Sequence, residues 1–264
     1  MKWLIKFTTY ALLLLLLLFI FTYIGLQTRW GASYSSQFLS KFTDYDIDVG
    51  IMGHEFSNPG EFIFQDVKLT AKNSDLSLDS RQVVVDVNWL NLFSGTAIKR
   101  LVITQGTLST TVSPNTVLFP ISATILQFEN SQITLKKGND TVQVAGFTGG
   151  MTPWKPTENT PFGYGDFRFT SNQLKFNDLA FKNIAITGKL QQQGTEISQA
   201  SAYLNNGYIA GTGKVLNDGS IMVDSLTMNK VGWENNVNFD SLFDAITSDK
   251  SLQVKKVELT NVDI

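Results

Sequence analysis

Two pairs of apolar residues separated by an odd step recur along this chain, and they constrain its fold more than any other feature. With Φ for an apolar residue, Φ-x-Φ-x-x-Φ-x-Φ is spelled by FIFQDVKL (Phe62–Leu69), LAFKNIAI (Leu179–Ile186), LTMNKVGW (Leu226–Trp233) and VELTNVDI (Val257–Ile264). LVITQGTLST from Leu101 and LQFENSQITL from Leu126 are looser versions whose central gap is wider by two residues. Within each pair the period is two, the period of a strand. The step of three or five between pairs would swing the second pair to the opposite face of a regular strand. Two solutions exist: a β-bulge that restores the face and bends the strand, or a strand that faces a different layer beyond that point. Asp66, Gly106, Asn183 and Asn261 lie in these gaps and tolerate the dihedral angles of a bulge. The starting positions 62, 101, 126, 179, 226 and 257 are unevenly spaced, which excludes a fixed-period solenoid.

The sequence around these units agrees with them. In QVVVDVNW, Val83, Val85, Val87 and Trp89 share one face against Gln82, Val84, Asp86 and Asn88. One apolar and one polar face is the pattern of an antiparallel sheet wetted on one side. Scarce proline (6 residues) and abundant Phe, Thr, Ser and Asn favour β structure over a helical bundle. NWLNLFS and NFDSLFD share N-Φ-x-x-L-F at identical spacing, each followed by a basic pair and an alternating strand. The stripe Phe239, Leu242, Phe243 and Ile246 predicts a short amphipathic helix near 239–248. FTGGMTPWKPTENTPFGYG carries three of the prolines and four glycines, and predicts a long loop over 148–166 between two strand-rich halves.

The N-terminus is of a different kind. Phe7–Leu26 is uncharged over about 20 residues, the length of a helix that crosses a bilayer core. Lys2 and Lys6 precede it, and Trp3, Tyr10, Tyr23 and Trp30 flank it where amphipathic rings prefer the interface. A signal peptide would have a shorter apolar region and a small-x-small site, so residues 1–28 are read as an uncleaved anchor with its N-terminus cytoplasmic. Trp30, Tyr34, Phe38 and Phe42 fall four apart and predict a juxtamembrane helix over 29–44, near 30–43 at its core, docked on the domain at 45–264.

Catalysis finds no support in the residues. The chain has no cysteine, which removes thiolate metal sites, disulfides and cysteine nucleophiles. His54 is alone and reads as a turn residue. The carboxylates are scattered singly along polar faces, and no glycine cluster forms a phosphate loop. With net charge −2 and no basic run, nucleic acid is not an expected partner. We therefore expect neither an enzyme nor a cofactor. The apolar face either closes into a sandwich or barrel, which pattern alone favours, or curls into an open trough that takes acyl chains.

The anchor, then DYDIDVGIMGHEFSNPGEFIFQDVKLTA, then LSLDSRQVVVDVNWLNLFSGTAIKRLVITQGTLS resembles the N-terminal region of AsmA-like proteins. The matching positions are Phe62–Leu69, Leu90–Gly95 and Ile98–Leu108, and Asn238–Ile264 resembles a second copy of the same module. The resemblance implies a single-pass inner-membrane protein of a Gram-negative envelope, with the bulk of the chain periplasmic and an open β-groove of the kind that moves phospholipid. It shifts the expected fold to a mainly β, curved, bulged antiparallel sheet behind a transmembrane helix. The groove-lining candidates are Phe62, Phe64, Val83, Val85, Val87, Leu101, Ile103, Leu126, Phe128, Leu179, Phe181, Leu226 and Met228. Val257, Leu259, Val262 and Ile264 form a candidate edge for a partner strand from another envelope protein. About 14 strands at roughly 4.8 Å would span only about 67 Å, short for an autonomous bridge across a periplasm.

Overall fold

The computed structural model describes residues 2–91, 97–111, 121–138, 140–157, 160, 162–176, 179–204, 206–231 and 251–261. Two helices, α1 (Lys2–Leu26) and α2 (Arg29–Phe42), precede the strands. These are β1 (Tyr45–His54), β2 (Glu61–Ala71), β3 (Ser77–Val87), β4 (Ile98–Thr111), β5 (Ala123–Lys137), β6 (Asp140–Thr152), β7 (Gly165–Phe176), β8 (Leu179–Gln191), β9 (Gly194–Leu204), β10 (Gly207–Leu216), β11 (Ile221–Asn229), β12 (Leu252–Val254) and β13 (Val257–Thr260).

All 13 strands form one sheet in chain order from β1 to β12, with β13 also on β11. β1 does not pair with β12 or β13, so the sheet is open. It is mixed rather than antiparallel throughout: β4 and β5 run parallel, as do β12 and β13 against β11. An alternating pattern reports faces and carries no strand direction, which is why the sequence expectation was antiparallel.

The odd step is taken at one aligned position. Asp66, Gln105, Asn130, Asn183, Lys230 and Asn261 are all left-handed, with φ of 52°, 52°, 45°, 50°, 54° and 53°. Each is the second residue after the first apolar pair of its unit. The left-handed position in LVITQGTLST is therefore Gln105 and not Gly106. Across β1–β2, Ile51 pairs Gln65 and Val49 pairs Val67, so no residue is added on either side of Asp66. Register likewise runs unshifted past Arg81, Gln105 and Asn172, while it shifts at β5–β6 and β8–β9. Alternation flips all the same: Leu101 and Ile103 are buried before Gln105, then Gly106, Leu108 and Thr110 after it. The strands change phase together along a transverse seam, which keeps both apolar pairs on one face.

β3 and β7 change phase without a left-handed residue. Each places a buried serine at the seam, in Ser80-Arg81-Gln82 and Ser171-Asn172-Gln173. Ser80 Oγ lies 2.9 Å from the Gln82 carbonyl and 3.0 Å from that of Thr104. Ser171 Oγ lies 2.9 Å from both the Gln173 and the Ala145 carbonyls. In β5, Ser131 Oγ accepts from the Gly106 amide at 3.1 Å. The hydroxyls serve backbone groups that the change of phase displaces, which is how serine is accommodated inside an apolar face.

The loop expected over 148–166 is shorter than the sequence indicated. Residues through Thr152 belong to β6, and Gly165 and Asp166 begin β7. Glycine here serves close strand approach: a Cβ on Gly149, at φ 148°, would lie 2.1 Å from the Arg168 carbonyl oxygen. The helix expected near 239–248 lies outside the described residues, as do residues 92–95 of the motif Leu90–Gly95, and Trp89–Asn91 forms a single 3₁₀ turn.

At the N-terminal end, α1 is fastened to β1 by its last turns. Tyr23 Oη lies 3.0 Å from His54 Nδ1 and 2.9 Å from the His54 carbonyl, and His54 Nε2 lies 3.2 Å from the Pro59 carbonyl. His54 thus ties α1, β1 and the β1–β2 turn together. Among the described residues no single helix is long and apolar enough to cross a membrane. Leu12–Leu26 and Arg29–Phe42 meet that condition together, bent by 83°.

Candidate functional site

The groove-lining candidates assemble into rows that cross the sheet perpendicular to the strands. One row begins with Met52, Phe64, Val83, Ile103, Phe128 and Gly149, each paired with the next from β1 to β6. It continues through Phe169, Ile186, Ala200, Gly211, Leu226 and Val257, to β13. Every member is apolar or glycine. A neighbouring row begins at His54 and runs Phe62, Val85, Leu101, Leu126 and Met151. It goes on through Phe167, Gly188, Ile197, Gly213, Val223 and Val254, to β12. Twelve ranks at roughly 4.8 Å give an apolar track of about 50 Å.

The remaining candidates fall beside these rows. Val87 pairs with Ile98 at the rim, beyond a register shift at Asp86. Leu179 and Phe181 lie on the far side of the seam, opposite Phe176 and Leu174. Met228 pairs with Ile209 and Leu259 one step from the first row. Phe147, Phe167, Phe169, Ile197 and Val223 were not among the sequence candidates. Phe147 and its glycine neighbours read as loop, Phe167, Phe169 and Ile197 stand in strands that lack the eight-residue unit, and Val223 precedes the unit of its own strand.

The apolar face is concave. A cavity of about 220 Å³ is lined by Leu108, Ile133 and Leu135 on one side of the seam and by Leu126, Met151 and Trp154 on the other. Leu126 and Leu135 are nine residues apart on β5, about 30 Å along a straight strand, so a shared cavity requires the strand to bend inward. A second cavity of about 340 Å³ has Leu174 and Phe181 on one side and Ile197, Val215 and Val223 on the other. Stacked rings help line the first cavity: Phe147 and Phe169 have centroids 4.9 Å apart, and Phe167 stacks on Phe169 at 5.5 Å. Strands pack against their sheet neighbours, and the helices meet the sheet at its β1 edge, α2 along the strand and α1 through Tyr23 at His54. The trough therefore has no second layer across it among the described residues.

Charge sits outside the trough. On the outer face of the seam Arg81 Nη1 donates to Gln105 Oε1 at 3.1 Å, and Lys68 lies 3.9 Å from Asp79. At the far edge Lys255 Nζ bonds Asp224 Oδ1 at 2.5 Å, a contact that lowers the Asp224 carboxyl below its ordinary range. Of the edge candidates, Val257 and Leu259 are 49% and 54% exposed on β13, and Val262 and Ile264 lie outside the described residues.

Compared with known proteins, the chain is 27% identical to the AsmA family protein YicH of Escherichia coli K12, over 98% of its own length. The chain is thus similar to an AsmA family protein along nearly its whole length. The alignment covers 45% of YicH, so the chain spans less than half the length of that relative. No family model matches the sequence. The AsmA-like motif positions Phe62–Leu69 and Ile98–Leu108 lie within β2 and β4, two strands that contribute to both apolar rows and to the seam beside them.

Proposed function

We propose that this protein is an inner-membrane-anchored envelope protein whose concave apolar face binds phospholipid acyl chains and passes them along the transverse rows. The observation that carries this reading is the unbroken run of apolar or glycine residues across twelve strands, open along its length. A globular domain covers such a face with a second layer. Left open, it suits a ligand that supplies that layer itself. A bilayer already shelters acyl chains, and each methylene in water costs about 0.8 kcal/mol. A continuous apolar floor lets a chain advance from rank to rank without meeting that cost. Likeness to an AsmA family protein and the apolar N-terminal helix support placement in the envelope, with the β-domain periplasmic.

Purified full-length protein should carry phospholipid detectable by mass spectrometry after gentle detergent extraction. Val85→Asp should lower the bound lipid severalfold while the β-sheet circular dichroism and the melting temperature change little. A lipid-free wild type would overturn the reading. So would a Val85→Asp protein that unfolds in step with its loss of lipid, provided Ile186→Asp behaves the same way.

A second reading has an observation of its own. All residues of β12 and β13 are exposed, leaving a short apolar edge on which another envelope protein could add a strand. A photo-crosslinker at Leu259 should then capture a partner, and capture of none in intact cells would count against it.

A further inference from the structure

We infer that α2 is an interfacial helix whose aromatic stripe rests in the headgroup–acyl boundary of the bilayer, and that this seats the first rank of the groove at the membrane surface. The inference deepens the proposed function and rests on its reading of α1 as the membrane anchor.

The two faces of α2 are used in an unexpected way. The side of small residues is turned inward: Ala32 and Ser36 are buried on the side of the sheet, and Gly31 is buried against the end of α1. Ser40 Oγ accepts from the Ile47 amide at 2.8 Å and lies 3.2 Å from the Ile47 carbonyl, which closes the free edge of β1. The aromatic side is turned away. Trp30, Tyr34, Phe38 and Phe42 are 76%, 63%, 55% and 73% exposed. Trp30 stacks on Tyr34 at 6.1 Å and Phe38 packs on Phe42 at 4.8 Å, so the stripe contacts itself.

The corner with α1 decides what covers this stripe. α1 and α2 meet at 83°. If Leu12–Leu26 stands across the bilayer, α2 lies nearly in its plane. The corner is fixed by close packing: a Cβ on Gly31 would fall 2.2 Å from the Gly25 carbonyl oxygen, and Thr28 Oγ1 caps α2 through the Gly31 amide at 3.2 Å. Trp and Tyr favour the headgroup level, and the only charges on α2 are the basic Arg29 and Lys41. A second copy of the chain is a poor match. A helix of 14 residues is about 21 Å long and about 10 Å wide, well short of the roughly 800 Å² per partner of a stable interface.

The absence of native cysteine allows single labels in the full chain. Nitrobenzoxadiazole would be placed at Tyr34→Cys, Phe38→Cys and Leu15→Cys, and the protein reconstituted in phosphatidylethanolamine–phosphatidylglycerol vesicles carrying shallow or deep nitroxide lipids. Labels at 34 and 38 should be quenched about twofold or more by the shallow nitroxide, and the label at 15 by the deep one. A deep label at 15 with labels at 34 and 38 in water would overturn the inference and spare the anchor. Labels at 34 and 38 shielded from water yet unquenched would also overturn it, because protein would then cover the stripe. No quenching at 15 would overturn both the inference and the anchor reading beneath it.

Discussion

Asp66, Gln105, Asn130, Asn183, Lys230 and Asn261 share one unusual backbone state, with φ between 45° and 54°. Left-handed geometry is tolerated by Asn and Asp and resisted by β-branched residues, at roughly 1–2 kcal/mol. Asn183→Val should therefore destabilise the domain by about that amount, whereas Asn183→Gly should fall within about 0.5 kcal/mol of wild type, as read by urea denaturation. Equal behaviour of the two variants would mean the backbone state is unimportant to stability. The spacing of apolar pairs made the seam legible, and residue type located it at Asp66, Asn183 and Asn261. Gln105 and Lys230 gave no such cue, because neither side chain favours the left-handed state. The seam serines were missed for a related reason: an isolated serine in an alternating strand looks solvent-facing, and only the neighbouring strand's carbonyl shows why Ser80 and Ser171 turn inward.

Elements were read more surely than their surroundings. Periodicity placed α2 within a residue or two of Arg29–Phe42, yet it could not say which side docks. The conspicuous aromatic stripe faces out, and the small residues between those rings make the contact. Lys72, beyond β2, reaches back to the carbonyls of Ser40 and Thr43 and neutralises the C-terminal end of α2. The corner before α2 depends on Gly31. Gly31→Ala should open the angle between the helices, which spin-label distances from Leu15 to Phe38 would show as a shift and broadening. At the other rim, the turn after β2 is stapled to β4. The Thr111 hydroxyl and the Thr111 amide, the latter at 2.9 Å, both donate to Asp75 and hold its carboxyl below the usual carboxylate range. A lowered carboxylate contributes stability that is fully present above its unfolded pKa, about 3.9, and is lost as pH falls through the lower folded value. Thr111→Val should move the Asp75 titration back up, which carboxyl NMR would register.

For the molecule as a whole, the rows predict directional behaviour that a set of separate pockets would not show. With lipid entering beside β1, Ile186→Asp should leave photo-crosslinking of lipid at Val83 intact and abolish it at Val223. Equal loss at both positions would mean the ranks do not form one path. The β character and its curvature could be read from the alternation. Openness could not, because a single apolar face is equally consistent with a closed sandwich, and only pairing shows that among the described residues β1 has no strand partner beyond β2. The mixed direction at β4–β5 was also invisible, since sequence alternation is the same in either sense. One further consequence follows from the seam. Because it crosses β1–β5 without a register step, it acts as a datum line to which any duplicated hairpin can be aligned. Such a sheet grows by whole hairpins. Insertions and deletions among relatives should gather in the turns at the two rims, while a single-residue insertion between an apolar pair and its left-handed residue would turn half a strand inside out.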